Sequence, residues 1–312
     1  MDVRWRERDW ELLREEVAEA RPAVRASLTA SGLLKFFECP LLRAQEHLLH
    51  FLIEMWSPRQ HCFLVRGERV EFTAEVDVYF LTGLPFRGMP MLTAPVMPRE
   101  TNLAGFARRF CSGRHFMTGS AVRINALDVL LHRCVASMIV RIYGSTAPHR
   151  MSGGELSLME RVVVGRERFA WGVALHSQMV AQLDRCRSAG RGEFTFGSIL
   201  VAFFLERVPA LRPRVVLEVP EMRHPRLRRW SEILARHGGG EAGHYFTEQA
   251  AQIWRQTPQL ILRFPYVGVD FRHDPDMVLP PGEVFDQRGM LIDDANMYVF
   301  VFFEIEFHMY MI

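Results

Sequence analysis

The spacing of apolar and polar residues along the chain predicts a mainly α-helical protein. Apolar residues recur every three to four positions over several segments that end at or near a glycine or a proline. We expect helices over residues 5–20, 40–56, 124–143, 167–187, 199–207 and 225–237, with a break at Ser152-Gly153-Gly154. Acidic and basic residues are mixed throughout the first of these segments, which is typical of a solvated surface helix.

A different period predicts one β-hairpin between residues 61 and 72. His61, Phe63 and Val65 occupy alternate positions, and apolar residues resume after Arg66-Gly67-Glu68. Glycine at this position suits the tight turn of a hairpin. We therefore expect a small antiparallel hairpin whose inner face carries the alternating side chains.

A short helix is predicted directly after the hairpin. Thr73 is a suitable N-cap, and an acidic residue such as Asp77 near the helix start complements the helix dipole. Gly83 is typical of the position just after a helix, and Pro85 follows it. Residues 61–85 are therefore expected to form one compact strand–turn–strand–helix unit.

The remaining segments are less regular. Residues 86–120 contain several prolines and predict loops, whereas residues 259–271 alternate enough to suggest a strand. Pro280-Pro281-Gly282 begins a final irregular stretch.

These patterns together predict a domain organisation. We expect a charged N-terminal helix or extension over residues 1–28, a helical domain over 29–290 and an atypical C-terminal tail over 291–312. The tail is either an extra edge strand or translated non-coding sequence. The expected fold class is mainly α with a minor β part (α+β minor), a multi-helix globular domain with a small antiparallel β-hairpin near residues 61–72.

Composition and charge narrow the class of protein. The chain has 312 residues, of which 49% are apolar, and this composition excludes a disordered, collagen-like or coiled-coil protein. Residues 1–240 carry 34 basic and 25 acidic side chains, and residues 241–312 carry 4 and 11. The N-terminus resembles no secretory signal, and no apolar run approaches the roughly 20 residues that span a bilayer. We expect a soluble protein of the cytosol or nucleus without a membrane partner.

The cysteines indicate a reducing compartment. Their number is odd and their spacing wide, so we expect buried free thiols at Cys39, Cys62, Cys111, Cys134 and Cys186. Cys111 with His115, and His132 with Cys134, are fragments of zinc-ligand patterns, but structural zinc needs four ligands in close pairs.

Most common catalytic motifs are absent from the sequence. It contains no P-loop, no G-x-G-x-x-G that opens a helix and no G-x-S-x-G. Pyridoxal-phosphate chemistry needs a lysine, and Lys35 is the only one among 38 basic residues. A metal-dependent hydrolase remains an alternative, because Asp270, Asp274 and Asp276 surround His273.

Two arginine clusters suggest nucleic-acid binding as a second alternative, because guanidinium groups pair with phosphates. The candidate contacts are Arg108, Arg109 and Arg114 in the loop 108–114, and Arg223, Arg226, Arg228 and Arg229 in the helix 223–236. The 37 arginines to one lysine also fit the codon bias of a GC-rich gene.

One block of residues carries a resemblance to a known family. Its members are Trp56, Pro58, His61, Phe63, Gly67, Glu68, Thr73, Asp77, Leu81, Gly83, Leu84 and Pro85. Weaker similarities follow at Trp171, at Gln182-Leu183 and over residues 225–230. This pattern resembles the plant mobile domain family, which is sometimes labelled aminotransferase-like, and it extends over roughly residues 30–285.

The resemblance implies a largely helical module, without established enzymatic activity, that occurs in plant transposable elements and in nuclear proteins derived from them. It further implies a nuclear location, a role in transposon silencing or gene regulation, and a phosphatase-like nuclear protein as partner. No catalytic, cofactor-binding or metal-binding residue is implied, and the single lysine argues against the aminotransferase label. We therefore expect a non-enzymatic protein without a cofactor, in which the block is structural and His61 is a hydrogen-bonded structural histidine.

Overall fold

A computed structural model describes residues 3–40, 46–65, 67–91, 126–143, 153–163, 165–189, 194–208, 224–236, 261–262, 265–266, 284–285 and 291–292. The helices are α1 (Val3–Ala18), α2 (Pro22–Ala30), α3 (Leu34–Phe37), α4 (Glu46–Glu54), α5 (Tyr79–Thr82), α6 (Ala126–Tyr143), α7 (Gly153–Val163), α8 (Trp171–Ala189), α9 (Gly197–Arg207) and α10 (Arg226–Arg236). The strands are β1 (Trp56–Ser57), β2 (Cys62–Val65), β3 (Glu68–Val70), β4 (Val284–Phe285) and β5 (Leu291–Ile292). The predicted fold class, mainly α with a small β-hairpin, is confirmed.

The first three strands form an antiparallel sheet in the order β1-β2-β3. Phe63 pairs with Val70 across the predicted hairpin, and Gly67 has the positive φ of +86° that its turn requires. Trp56 was expected to end a helix over residues 40–56, and that prediction is wrong at its C-terminal end. The helix stops at Glu54, and Trp56 pairs with Phe63 as part of β1.

The hairpin leads into the predicted short helix through a wide first turn. The Thr73 hydroxyl accepts a hydrogen bond from the Val76 amide (3.3 Å), as expected for an N-cap. The Val78 amide then bonds the Thr73 carbonyl five residues back (3.0 Å), so residues Ala74–Val78 form a π-helical turn before α5. Gly83 ends α5 with φ of +72°.

Helix α9 lies at the centre of the fold. All its residues from Gly197 to Arg207 are buried, and it contacts α4, α5 and α10. An apolar run from Ile199 to Leu205 explains this position, because a helix that is apolar on every side is stable only inside the protein. Its last two residues, Glu206 and Arg207, are charged and buried, and therefore need partners.

One side of the N-terminal helix packs into the core, which corrects the expectation of a fully solvated helix. Trp10, Leu13 and Val17 are buried along one side of α1. The Trp10 ring stacks on Phe37 with the centroids 4.4 Å apart. Residues on both sides of position 28 belong to one hydrophobic cluster. Among the described side chains of this helix, the acidic residues Glu11, Glu15 and Glu16 are exposed.

Two other expectations change. The break predicted at Ser152-Gly153-Gly154 is wrong in part, because α7 begins at Gly153. The described part of the strand suggested over 259–271, residues 261–262 and 265–266, lies in neither helix nor strand. The domain boundary at residue 290 stays a prediction, and β5 just after it pairs antiparallel with β4.

Candidate functional site

The block over residues 56–85 lies mostly inside the protein. Its buried members are Trp56, Phe63, Asp77, Leu81, Gly83, Leu84 and Pro85, its half-buried members are Pro58 and Thr73, and its exposed members are His61, Gly67 and Glu68. The two aromatic side chains, the leucines and the Asp77 carboxylate are thus removed from solvent, whereas the Glu68 carboxylate is exposed.

Trp56 is fixed at both its side chain and its backbone by α8. Its indole Nε1 donates to Asp184 Oδ1 (2.7 Å), and Arg187 Nε donates to its carbonyl oxygen (3.1 Å). His61 was expected to be a hydrogen-bonded structural histidine, and this detail is corrected. Its side chain is 61% exposed, and its Nδ1 lies 3.7 Å from Asp184 Oδ2, beyond hydrogen-bond distance.

The segment Gly83-Leu84-Pro85 packs backbone against backbone with distant parts of the chain. The Gly172 amide donates to the Pro85 carbonyl (2.8 Å). A Cβ added at Gly83 would lie 2.8 Å from Lys35 Cβ and 2.9 Å from Pro225 Cγ. Glycine is therefore required at position 83 both for its positive φ and for space.

Asp77 is the centre of a buried hydrogen-bond network. Its Oδ2 accepts from the Thr73 amide (2.9 Å). Its Oδ1 accepts from Arg207 Nη2 (2.6 Å) and Nε (3.2 Å) and from the Tyr266 hydroxyl (2.8 Å). Burial raises the pKa of Tyr266 well above its ordinary value, as does the Asp77 charge, so the hydroxyl remains a donor. Burial lowers the pKa of Arg207, but its charge and hydrogen-bond contacts with Asp77 and Tyr266 raise that pKa overall.

Glu206 forms a second buried cluster next to the first. Its Oε1 accepts from Trp230 Nε1 (2.9 Å) and lies 3.3 Å from Arg226 Nε and 3.7 Å from Arg229 Nη1. Arg226 and Arg229 are each only 2% exposed. Their proposed nucleic-acid contacts are thus corrected, because both guanidinium groups face the protein interior.

The other candidate nucleic-acid contacts divide into two groups. Arg228 is exposed on α10 and pairs with Glu232 at 3.2 Å. Arg223, Arg108, Arg109 and Arg114 lie outside the described residues.

The candidate metal ligands are not brought together within the described part of the chain, which contains no group of three or more His, Cys, Asp or Glu residues able to hold an ion. His132 and Cys134 are both buried in α6. Cys111, His115 and the group Asp270, His273, Asp274 and Asp276 fall in ranges that the structure leaves undescribed.

The described cysteines are free thiols, as expected. Cys39, Cys62 and Cys134 are buried, whereas Cys186 is half-buried. Burial raises the pKa of Cys39 to about 12 and raises that of Cys134 as well, so neither forms the thiolate needed for nucleophilic chemistry near neutral pH.

Sequence reasoning missed the partners that hold the block in place. Asp184, Glu206, Arg207 and Tyr266 were not singled out as site residues. A signal was present at Glu206-Arg207, where an apolar helix ends in two charged residues, because such residues inside a core must be paired. Asp184 and Tyr266 offered no comparable signal.

The chain was compared with known protein families, curated proteins and solved structures. No protein family, curated protein or solved structure matches this chain. None of the helices within the described residues is long and apolar enough to cross a membrane.

Proposed function

We propose that this chain is a non-enzymatic interaction module of the plant mobile domain type, derived from a transposable element. It acts in the nucleus, in transposon silencing or gene regulation, by binding a phosphatase-like nuclear protein. The partner and the location rest on the resemblance carried by the block over residues 56–85.

One observation carries the non-enzymatic part of the proposal. The polar groups buried in the block are directed at other parts of the same chain. The Trp56 indole bonds Asp184, and the Asp77 carboxylate bonds Thr73, Arg207 and Tyr266. A carboxylate occupied in this way has little capacity left to bind a substrate or move a proton. These residues stabilise a scaffold, and the function belongs to the surface that the scaffold supports.

The nucleic-acid alternative receives less support. Two of the four arginines proposed in α10 and just before it, Arg226 and Arg229, are held against Glu206 in the core. Among the three candidates that the structure describes, only Arg228 has an exposed guanidinium, and one phosphate contact on α10 would contribute little affinity.

Direct binding between purified proteins tests the proposal. The full chain and the phosphatase-like nuclear protein are mixed, and their association is measured by calorimetry. We expect a saturable complex, and we expect the tagged chain to be enriched in plant nuclei. The variant Phe63→Asp, which places a charge in the core, serves as an unfolded control. Absence of a complex with the folded wild-type chain would contradict the proposal.

A further inference from the structure

An open depression lies where β1 and the turn after it meet the C-terminal end of α8. It encloses about 530 Å³. We name it the Leu64 depression. We call its apolar lining residues Met55, Pro58 and Leu64 the floor, and its charged lining residues Glu54, Arg59 and Arg187 the rim. Its shape suits a peptide better than a small molecule, because an open depression cannot bury most of a small ligand's surface.

The floor of the Leu64 depression is apolar. Leu64 is 37% exposed, although Phe63 and Val65 beside it in β2 are completely buried. The side chains of a strand alternate between faces, so Leu64 projects from the outer face of the sheet. Met55 and Pro58 are half-buried next to it. An apolar side chain inserted here would remove all three from water.

The rim carries two arginines against one acid. Arg59 is exposed and makes no hydrogen bond or ion pair with any other described residue. Arg187 is also exposed. Its Nε donates to the Trp56 carbonyl, and its terminal nitrogens make no hydrogen bond or ion pair with any other described residue. Glu54 is the acidic member. The rim therefore has a net positive charge, and arginine forks pair favourably with carboxylates.

We infer that the Leu64 depression binds a short acidic segment of a protein partner. One apolar side chain of that segment inserts between Met55, Pro58 and Leu64, and its flanking carboxylates pair with Arg59 and Arg187. This inference rests on the proposed function, since it names where the partner docks. Arginine is enriched among the residues that contribute most to the affinity of protein interfaces.

A peptide titration with the full chain tests the inference. The probe is a fluorescein-labelled peptide with one leucine flanked on each side by three glutamates, and binding is followed by fluorescence anisotropy. We expect saturable binding that weakens as salt is raised. Replacing the glutamates by lysines should abolish binding, and replacing the leucine by serine should weaken it about fivefold.

Variants of the chain locate the site. Arg59→Glu should weaken binding of the glutamate–leucine peptide about tenfold, and Leu64→Thr about fivefold. The matched controls are Arg166→Glu and Val173→Thr, because both residues are exposed near the opposite end of α8. That helix has 19 residues and is about 28 Å long, so these controls lie far from the depression. We expect the controls to change the affinity less than twofold, with all variants folded by circular dichroism.

Three results would overturn the inference: no saturable binding, equal binding of the lysine peptide, or binding unchanged by both Arg59→Glu and Leu64→Thr. Displacement of the peptide by a single-stranded oligonucleotide at equal concentration would instead identify nucleic acid as the occupant. The same variants separate this inference from the proposed function. If they bind the phosphatase-like nuclear protein as tightly as the wild type, the Leu64 depression is not the docking site, and the proposed function as an interaction module is unaffected. If the wild type fails to bind that protein, the proposed function fails.

Discussion

Asp77 and Arg207 are 130 residues apart in the chain and form a buried ion pair with two hydrogen bonds, of 2.6 and 3.2 Å. Asp77 lies in the wide turn that follows the hairpin, and Arg207 ends the central helix α9. The side chain of Asp77 is fully buried and that of Arg207 is 8% exposed. The pair therefore joins the block over residues 56–85 to the middle of the fold.

Removing the charge of Asp77 should destabilise the protein strongly. Asp77→Asn keeps the shape of the side chain but leaves the Arg207 charge buried without its carboxylate, and we expect the free energy of unfolding to fall by about 3–5 kcal/mol. Tyr266→Phe removes one hydrogen bond and should cost about 1–2 kcal/mol. Denaturant unfolding measures both. The control is Glu71→Gln, whose exposed pair with Arg69 should be worth less than about 1 kcal/mol. Equal losses in Asp77→Asn and Glu71→Gln would contradict the assignment.

The arginines of α10 should differ sharply in their effect on stability. Arg229→Ala leaves a cavity in the core and removes one of the two guanidinium groups beside Glu206, which stays paired with Arg226. A loss of about 2–4 kcal/mol is expected. Arg228→Ala, one position earlier, removes only an exposed pair with Glu232 and should change the stability by less than about 1 kcal/mol. Thermal unfolding of the two variants side by side measures this difference. Similar melting temperatures would show that Arg229 is solvated.

Two glycines with positive φ provide a matched test of close packing. Gly83→Ala introduces both backbone strain and a Cβ 2.8 Å from Lys35 Cβ, whereas Gly67→Ala introduces strain with open space around the new atom. We expect a loss of about 1 kcal/mol for Gly67→Ala from the strain alone. Gly83→Ala should lose several times as much, because Lys35 and Pro225 must also move. Equilibrium unfolding in urea measures both losses of stability. Equal losses for the two variants would contradict the close packing of Gly83.

The buried thiol of Cys39 predicts a loss of stability in alkali. Its pKa in the folded protein is about 12, above the ordinary value of 9.0, because of burial. The unfolded chain therefore loses this proton first as pH rises above about 9, so the folded state binds more protons and its stability falls between the two pKa values. The slope is about 1.4 kcal/mol per pH unit for one group.

Cys39→Ala should remove that part of the pH dependence. Urea unfolding between pH 8 and 10.5 should give a shallower decline for Cys39→Ala than for the wild type. Cys186→Ala is the comparison variant. Burial raises the pKa of the half-buried Cys186 as well, but less than that of Cys39, so its effect on the slope should be smaller. Parallel curves for the wild type and Cys39→Ala would exclude a protonated, buried thiol at position 39.

The elements with a strong local pattern could be predicted from the sequence. Helix α6 and helix α9 match their predicted ranges within two residues, since long apolar runs determine where buried helices form. The hairpin was predictable because Gly67 marks its turn. Strand β1 could not be predicted, because a strand of two residues is too short to show an alternating pattern of apolar residues. The backbone pairing of Trp56 with Phe63 determines its conformation instead.

The partners of the buried charges could not be predicted, for a different reason. The arginine pattern of α10 alone would place these side chains on a solvated face. Arg226 and Arg229 are instead buried, because both pair with Glu206 at the end of the neighbouring helix α9. Asp77 is a second example. Its position near a helix start predicted an interaction with the helix dipole, whereas its carboxylate is paired with Arg207. Partners so far apart in the chain leave no local trace in the pattern.

Native-state hydrogen exchange of the amides of Val78, Gly83 and Leu84 tests the central claim most directly, namely that the buried block is a scaffold. These amides bond the Thr73 carbonyl, the Tyr79 carbonyl and the Thr82 hydroxyl. A scaffold opens only when the whole protein unfolds, whereas functional loops open locally at lower free energy. We expect all three amides to exchange with the free energy of global unfolding. Exchange through local opening, several kcal/mol below that value, would contradict the account.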